Sequence, residues 1–219
     1  MSTRRPPART APARPPGSPG RPKDPGKRQA ILAAASRLFM EQGYAGASMD
    51  AIAAAAGVSK LTVYSHFGDK EGLFHAAVRA TSDALVPDTL FTADSEAPLR
   101  QQLLDIGHAF FTLVSSEAAL AAQRMILSPD TDESIRQLFW QAGPARITDA
   151  LVSFLAPRVA RGELAIEDLE LAASQFFCLV KGELHHSLMC GMGGQCDAAQ
   201  ADRHVTSAVD FFIRGYARP

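Results

Sequence analysis

Residues 58–74 read VSKLTVYSHFGDKEGLF. They follow an alanine-rich run, Asp50 to Ala56, closed by Gly57. Two helix starts lie inside the quoted stretch. Ser59 precedes a helical run from Lys60 to His66, and Asp69 precedes another that starts at Lys70. Ser and Asp favour such positions because their side chains accept a hydrogen bond from the first-turn backbone. Upstream, Ser48 caps a short helix from Met49 to Ala56 with Met49, Ile52, Ala53 and Ala56 inward. Gly57 supplies the turn, since a left-handed residue after a helix costs glycine no steric penalty. A short helix, a glycine turn and a second short helix make a helix-turn-helix pattern. Ala53 is small where the two helices cross, and Val58, Val63 and Phe67 face inward, the last two one helical turn apart.

That packing leaves Lys60, Leu61, Thr62, Tyr64, Ser65 and His66 on the outer side or its margins. Ammonium, hydroxyl, phenol and imidazole groups suit phosphate oxygens. Leu61 and Thr62, near the helix start, suit base edges, where an apolar side chain meets a thymine methyl. Lys70 adds a charge beside the free N–H groups of the next helix. Periodicity alone favours an ordinary helical corner; the run of donors on one face reverses that and points to DNA.

Outward from this motif, the charge is unevenly spread. The first thirty residues carry a formal +7, from eight Arg and Lys against Asp24, and the remainder carries −8. The pattern suggests a basic arm for a polyanion on an acidic body, or else a solubilising tail. Residues 1–23 are rich in Pro, Arg, Ala and Gly and lack large apolar side chains, so they are expected to form a disordered basic arm. Within it, Pro19-Gly20-Arg21-Pro22 suits either an arginine, Arg21, inserted in an A·T-rich minor groove or a plain electrostatic tether.

Order is expected from Asp24-Pro25, a cap followed by a first-turn proline. Ile31, Leu32, Ala35, Leu38 and Phe39 recur at helical spacing until Gly43. Beyond the quoted stretch, Leu73, Phe74, Ala77 and Val78 continue the helix from Lys70. Helices are then expected over residues 98–115, 118–127, 132–160 (kinked at Gly143-Pro144), 168–189 and 198–216. No alternating strand pattern of useful length occurs. The fold class is all-α, about nine helices. Residues 24–70 are expected to form the DNA-binding domain and residues 71–219 a second helical domain.

The segment Gly26 to Val78 closely resembles the DNA-binding domain of the TetR/AcrR family of bacterial transcriptional regulators. The resemblance is carried by Leu38-Phe39, the EQGY at Glu41 to Tyr44, the AGVS turn at Ala56 to Ser59, and YSHFGDKEGL at Tyr64 to Leu73. It implies a homodimer that places two recognition helices in successive major grooves. By the same resemblance, Ser48, Lys60, Thr62, Tyr64, His66 and Lys70 match phosphate or base contacts. Leu61 departs from the small residue often found at its position, which bears on base preference. The rest of the chain looks like the AefR-like C-terminal domain of that family, through Ala121–Ser128, Leu138–Leu151, Ala160–His186 and the closing helix. This implies a domain that binds a small-molecule effector and dimerises.

Among the apolar residues of that region, Phe110, Phe111, Val114, Met125, Trp140 and Phe177 are the candidates for an effector pocket, against plain core. Leu184, Leu188, Val205, Val209 and Phe212 are the candidates for a two-fold interface, against monomer core. A dimer is favoured because one helix-turn-helix makes few contacts. No metal or other cofactor is expected. Glu183 and His186 share a helix face, but two ligands do not make a site. Cys190 and Cys196 flank a glycine-rich loop and are read as inert thiols rather than a redox switch.

No nucleophile–base pairing, phosphate-cradling glycine loop or metal spacing argues for an enzyme. The odd cysteine count and the lack of a long apolar run lead to the expectation of a cytoplasmic protein without membrane contact. The sequence therefore predicts a ligand-responsive repressor that binds a pseudo-palindromic duplex. The alternative is a non-specific DNA-binding protein acting through its arm.

Overall fold

A computed structural model describes residues 24–92, 97–192 and 196–218. Among them are ten α-helices and one 3₁₀ turn, with no strand. The helices are α1 (Pro25–Gly46), α2 (Met49–Ala55), α3 (Lys60–Phe67), α4 (Lys70–Leu85), α5 (Leu99–Ser115), α6 (Glu117–Leu127), α7 (Glu133–Ala142), α8 (Pro144–Ala160), α9 (Leu169–Met189) and α10 (Ala198–Tyr216). The fold is all-α. The caps are those the sequence advertises: Asp24, Ser48, Ser59 and Asp69 each accept a hydrogen bond from a first-turn backbone N–H. Gly57 sits at φ +65, the left-handed turn that the motif requires.

The expected single helix over residues 132–160 is two helices, which turns nine into ten. Gly143 leaves helical geometry (φ −128, ψ −74), and Pro144 opens α8 at its first position. Proline has no N–H for the preceding turn and fits naturally as the first residue of a helix.

Two cores organise the chain. The first joins Ile31, Phe39, Ile52, Val63, Leu73, Phe74 and Ala77 of α1–α4, and Ile135 of α7 completes it. It reaches along α4 as far as Ala77, past the expected domain boundary at residue 70. Phe74 meets both Phe39 and Tyr44 edge to face, with ring centroids 5.2 Å apart in each pair. Burying a phenyl side chain of this kind contributes roughly 1.5–3 kcal/mol. The second core packs α5 against α8, α9 and α10 through Leu103, Ile106, Phe110, Leu151, Phe154, Phe176 and Val180.

Val205, Val209 and Phe212 belong to this second core. Their exposures are 0%, 0% and 1% within a single chain. The expectation that they face a second copy is therefore corrected: the apolar stripe of α10 is consumed by α5 and α9 of its own chain. Leu184 packs partly against the same core, and Leu188 is half-buried. The large apolar side chains left exposed on α9 and α10 are Leu171 and Phe211.

Two local features matter later. Helix α9 breaks at Gly182 (φ +50, ψ −160), where a Cβ would lie 2.5 Å from His204 Cε1. The same His204 donates from Nε2 to the carbonyl of Val180 at 2.8 Å. Arg158, 1% exposed, donates to Phe154 O at 2.6 Å and to Gln102 Oε1, with its guanidinium 3.5 Å from the Phe154 ring centroid.

Candidate nucleic-acid interface and the cavity behind it

Val63, wholly buried, anchors α3 to the first core. Helical geometry then turns Lys60, Leu61, Tyr64 and Ser65 outward, with Thr62 and His66 half-buried at the margins. Leu61 is 79% exposed, the most exposed of the large apolar side chains among the described residues. It contributes nothing to the core from there, which fits a contact made with base edges.

Several polar side chains of this face are already engaged. Lys60 Nζ lies 2.8 Å from Asp50 Oδ2, a pair that ties the start of α3 to the start of α2. The hydrogen bond to Asp50 raises the Lys60 pKa. The hydroxyls of Ser59 and Thr62 lie 2.8 Å apart, and Ser65 Oγ donates to Thr62 O at 2.9 Å. Ser48 Oγ accepts the Ala51 N–H and keeps its own proton to donate. Lys70 Nζ donates to Ala45 O at 3.3 Å and stands 4.5 Å from the Tyr44 ring centroid. Burial lowers the Lys70 pKa. His66 Nδ1 is sealed from solvent and has no partner among the described residues. Arg21 lies outside the described residues.

Three residues of this region went unassigned in the sequence. Arg28 stands 5.3 Å from the Phe67 ring centroid, beside the end of α3. Asp50 partners Lys60, and Tyr44 carries Lys70. Ring-under-cation placement has no signature at these separations; only the charge of Arg28 was visible.

Behind the motif lies a cavity of about 600 Å³ between the two cores. Of the six candidate pocket residues, Phe110, Val114, Met125 and Trp140 line it. Phe111 and Phe177 do not. Phe111 packs beside His204, with centroids 5.7 Å apart, and Phe177 rests on Phe110 at 4.3 Å and Phe176 at 5.4 Å inside the second core. The remaining walls include Phe39, Met40 and Phe74 of the DNA-binding region and Phe139 of α7. Reading α1 and α4 as local core concealed these contributions. The charged side chains of the lining are Arg136 and Lys181. Arg136 is spent on the end of α6, donating to Ile126 O at 3.2 Å and Ser128 O at 3.1 Å.

Met125 links cavity and interface. While lining the cavity, it accepts the Tyr44 N–H on Sδ at 3.1 Å. Tyr44 in turn lies beneath Lys70. The cysteines stand apart from this arrangement, and burial pushes the Cys196 thiol pKa up, away from thiolate chemistry. No single described helix is long and apolar enough to cross a membrane.

An exposed recognition helix on a small helical core, joined to a larger helical body with an apolar cavity between, defines a DNA-binding transcriptional regulator. Residues 31–77 match the bacterial regulatory proteins of the tetR family, and residues 101–218 match the AefR-like transcriptional repressor C-terminal domain. The chain belongs to the TetR family, whose members are regulators and not enzymes. It is 32% identical over 168 residues to the HTH-type transcriptional repressor ComR of Escherichia coli, covering 71% of this chain and 76% of that one. It is 36% identical over 92 residues to the HTH-type transcriptional activator FasR of Mycolicibacterium smegmatis, covering 42% of each. The chain thus spans under half the length of that relative. The solved structure of the flavonoid-responsive regulator FrrA superposes with a TM-score of 0.69 at 30% identity, over 87% of this chain and 97% of that one.

Proposed function

We propose that the protein is a repressor that binds a pseudo-palindromic duplex as a homodimer and is released from it by a small molecule entering the cavity. The observation that carries this reading is the double use of the cavity walls. Phe39 and Phe74 hold the helix-turn-helix core together and also face the cavity. An occupant therefore touches the element that positions α3. Met125, Tyr44 and Lys70 form a contact chain from cavity to DNA-facing charge. A ligand releases DNA only by binding the DNA-incompetent arrangement more tightly. The names of the repressor ComR and the flavonoid-responsive FrrA support repression and ligand response.

The dimer would use the free faces of α9 and α10. Leu171 and Phe211 stand there among the exposed small residues Ser174, Cys178, Ser207 and Gly215, which permit close helix approach. Selection of bound fragments from a random duplex pool tests the operator and dimer parts of this reading. A two-fold symmetric motif with half-sites about one helical turn apart is expected. Its loss in a Tyr64→Ala, Lys70→Ala double variant is expected too. A folded protein that enriches no motif, or a variant that binds as wild type does, overturns it.

A further inference from the structure

We infer that the cavity takes a largely apolar monocarboxylate, with the carboxylate held by Lys181. The inference rests on the effector reading above and gives the effector a chemical class. Lys181 lines the cavity, is half-buried, and makes no ion pair or hydrogen bond among the described residues. No Asp or Glu lines the cavity. The other cation, Arg136, already caps the carbonyl end of α6. One ammonium without a counter-charge, partly withdrawn from water, favours an anion. Its field is felt by its neighbours: after burial itself, the charge of Lys181 is the next cause that lowers the pKa of His185.

The walls set the rest of the molecule. Phe74, Phe110, Val114 and Phe139 are apolar and reject a second charge. The volume of about 600 Å³ is that of a site for a drug-sized molecule. On the α4 wall, Ser82 is 5% exposed and its hydroxyl makes no hydrogen bond among the described residues. It offers a partner to a hydroxyl or carbonyl elsewhere on the ligand. A neutral apolar ligand would leave Lys181 uncompensated, and a dianion would place a second charge against phenyl rings.

Aliphatic and aromatic acids share this chemistry, so the test uses both. Decanoate and 1-naphthoate are titrated by calorimetry against 1-decanol and 1-naphthalenemethanol, with no DNA present. Trp140, the only tryptophan and part of the lining, gives a second readout for the decyl pair. At least one acid is expected to bind about tenfold or more tightly than its alcohol, the scale of a hydrogen bond to a charged group. Lys181→Met should abolish that preference and leave alcohol binding unchanged, whereas Lys181→Arg should keep it. The inference is overturned if the alcohols bind as well as the acids, if neither acid binds, or if Lys181→Met retains the preference. Release of the selected duplex is measured separately. An acid that binds through Lys181 without releasing the duplex removes the effector reading and leaves this inference standing. A neutral molecule that binds and releases it in place of the acids does the reverse.

Discussion

Asp50 restrains Lys60 on the face proposed to meet DNA, and replacing it should make binding both tighter and more salt-sensitive. The two side chains are 2.8 Å apart and more than half exposed. A lysine that approaches phosphate while paired to a carboxylate brings no net positive charge, so it releases no net counterion. Asp50→Asn keeps the side-chain size and leaves the Ser48 cap of α2 untouched. Each protomer then contributes one further effective phosphate contact, worth about 0.9 in the slope of log K against log salt. For a dimer the slope should steepen by about 1.8. Between about 50 and 200 mM salt, the affinity gain over wild type should therefore shrink about twelvefold. Fluorescence anisotropy with a selected duplex, over a salt series, measures both quantities. A second replacement, Lys60→Gln, on the Asp50→Asn background should restore the original slope. An Asp50→Asn protein with an unchanged slope would refute the reasoning, because Lys60 would then not face phosphate.

Three further outcomes are expected from the body of the protein. Arg158→Met fills similar space but removes the bonds to Phe154 O and Gln102, and should cost about 2–4 kcal/mol in urea unfolding. Gly182→Ala forces a side chain into a backbone region nearly exclusive to glycine and against His204, and should cost at least about 1–3 kcal/mol, read as a lowered Tm. His185 is buried with Nε2 unpaired, and burial, Lys181 and His186 lower its pKa below the ordinary 6.5. The unfolded chain therefore takes up this proton first. The stability that neutral His185 provides is complete above pH 6.5 and declines as pH falls from there toward the folded value. His185→Asn should flatten that acid limb in unfolding titrations, and an unaltered limb would assign it to other groups.

The helix-turn-helix was legible because every local signal agrees. Ser48, Ser59 and Asp69 cap, Gly57 turns, and Val63 alone must be buried on α3. The body was legible as helices but not as surfaces. An amphipathic stripe such as Val205, Val209 and Phe212 says that one face of α10 is covered, not by which chain. Nor does periodicity tell a wall from a core: Phe110 borders the cavity, while Phe111 and Phe177 do not. The break at Gly182 was hidden because a lone glycine inside a helical pattern usually stays helical. His204, twenty-two positions later, occupies the space beside it and bonds to Val180 O, and only the packed chain brings the two together.

The shared wall between the two cores bears on how such a chain can be recombined. Residues 31–77 look like a portable cassette, yet Ile135 sits inside their core, and Met125, Ile126, Leu138 and Phe139 pack against it. Grafting that segment onto a foreign body would strip one side of its core to water unless α6 and α7 travelled with it. The same coupling constrains redesign of ligand preference. A substitution at Phe39 or Phe74 that reshapes the cavity also loosens the recognition helix, so under the proposed function specificity for the small molecule and grip on the duplex drift together. Walls contributed from α8 and α9, such as Ile147 and Lys181, are the places where one can be retuned without the other.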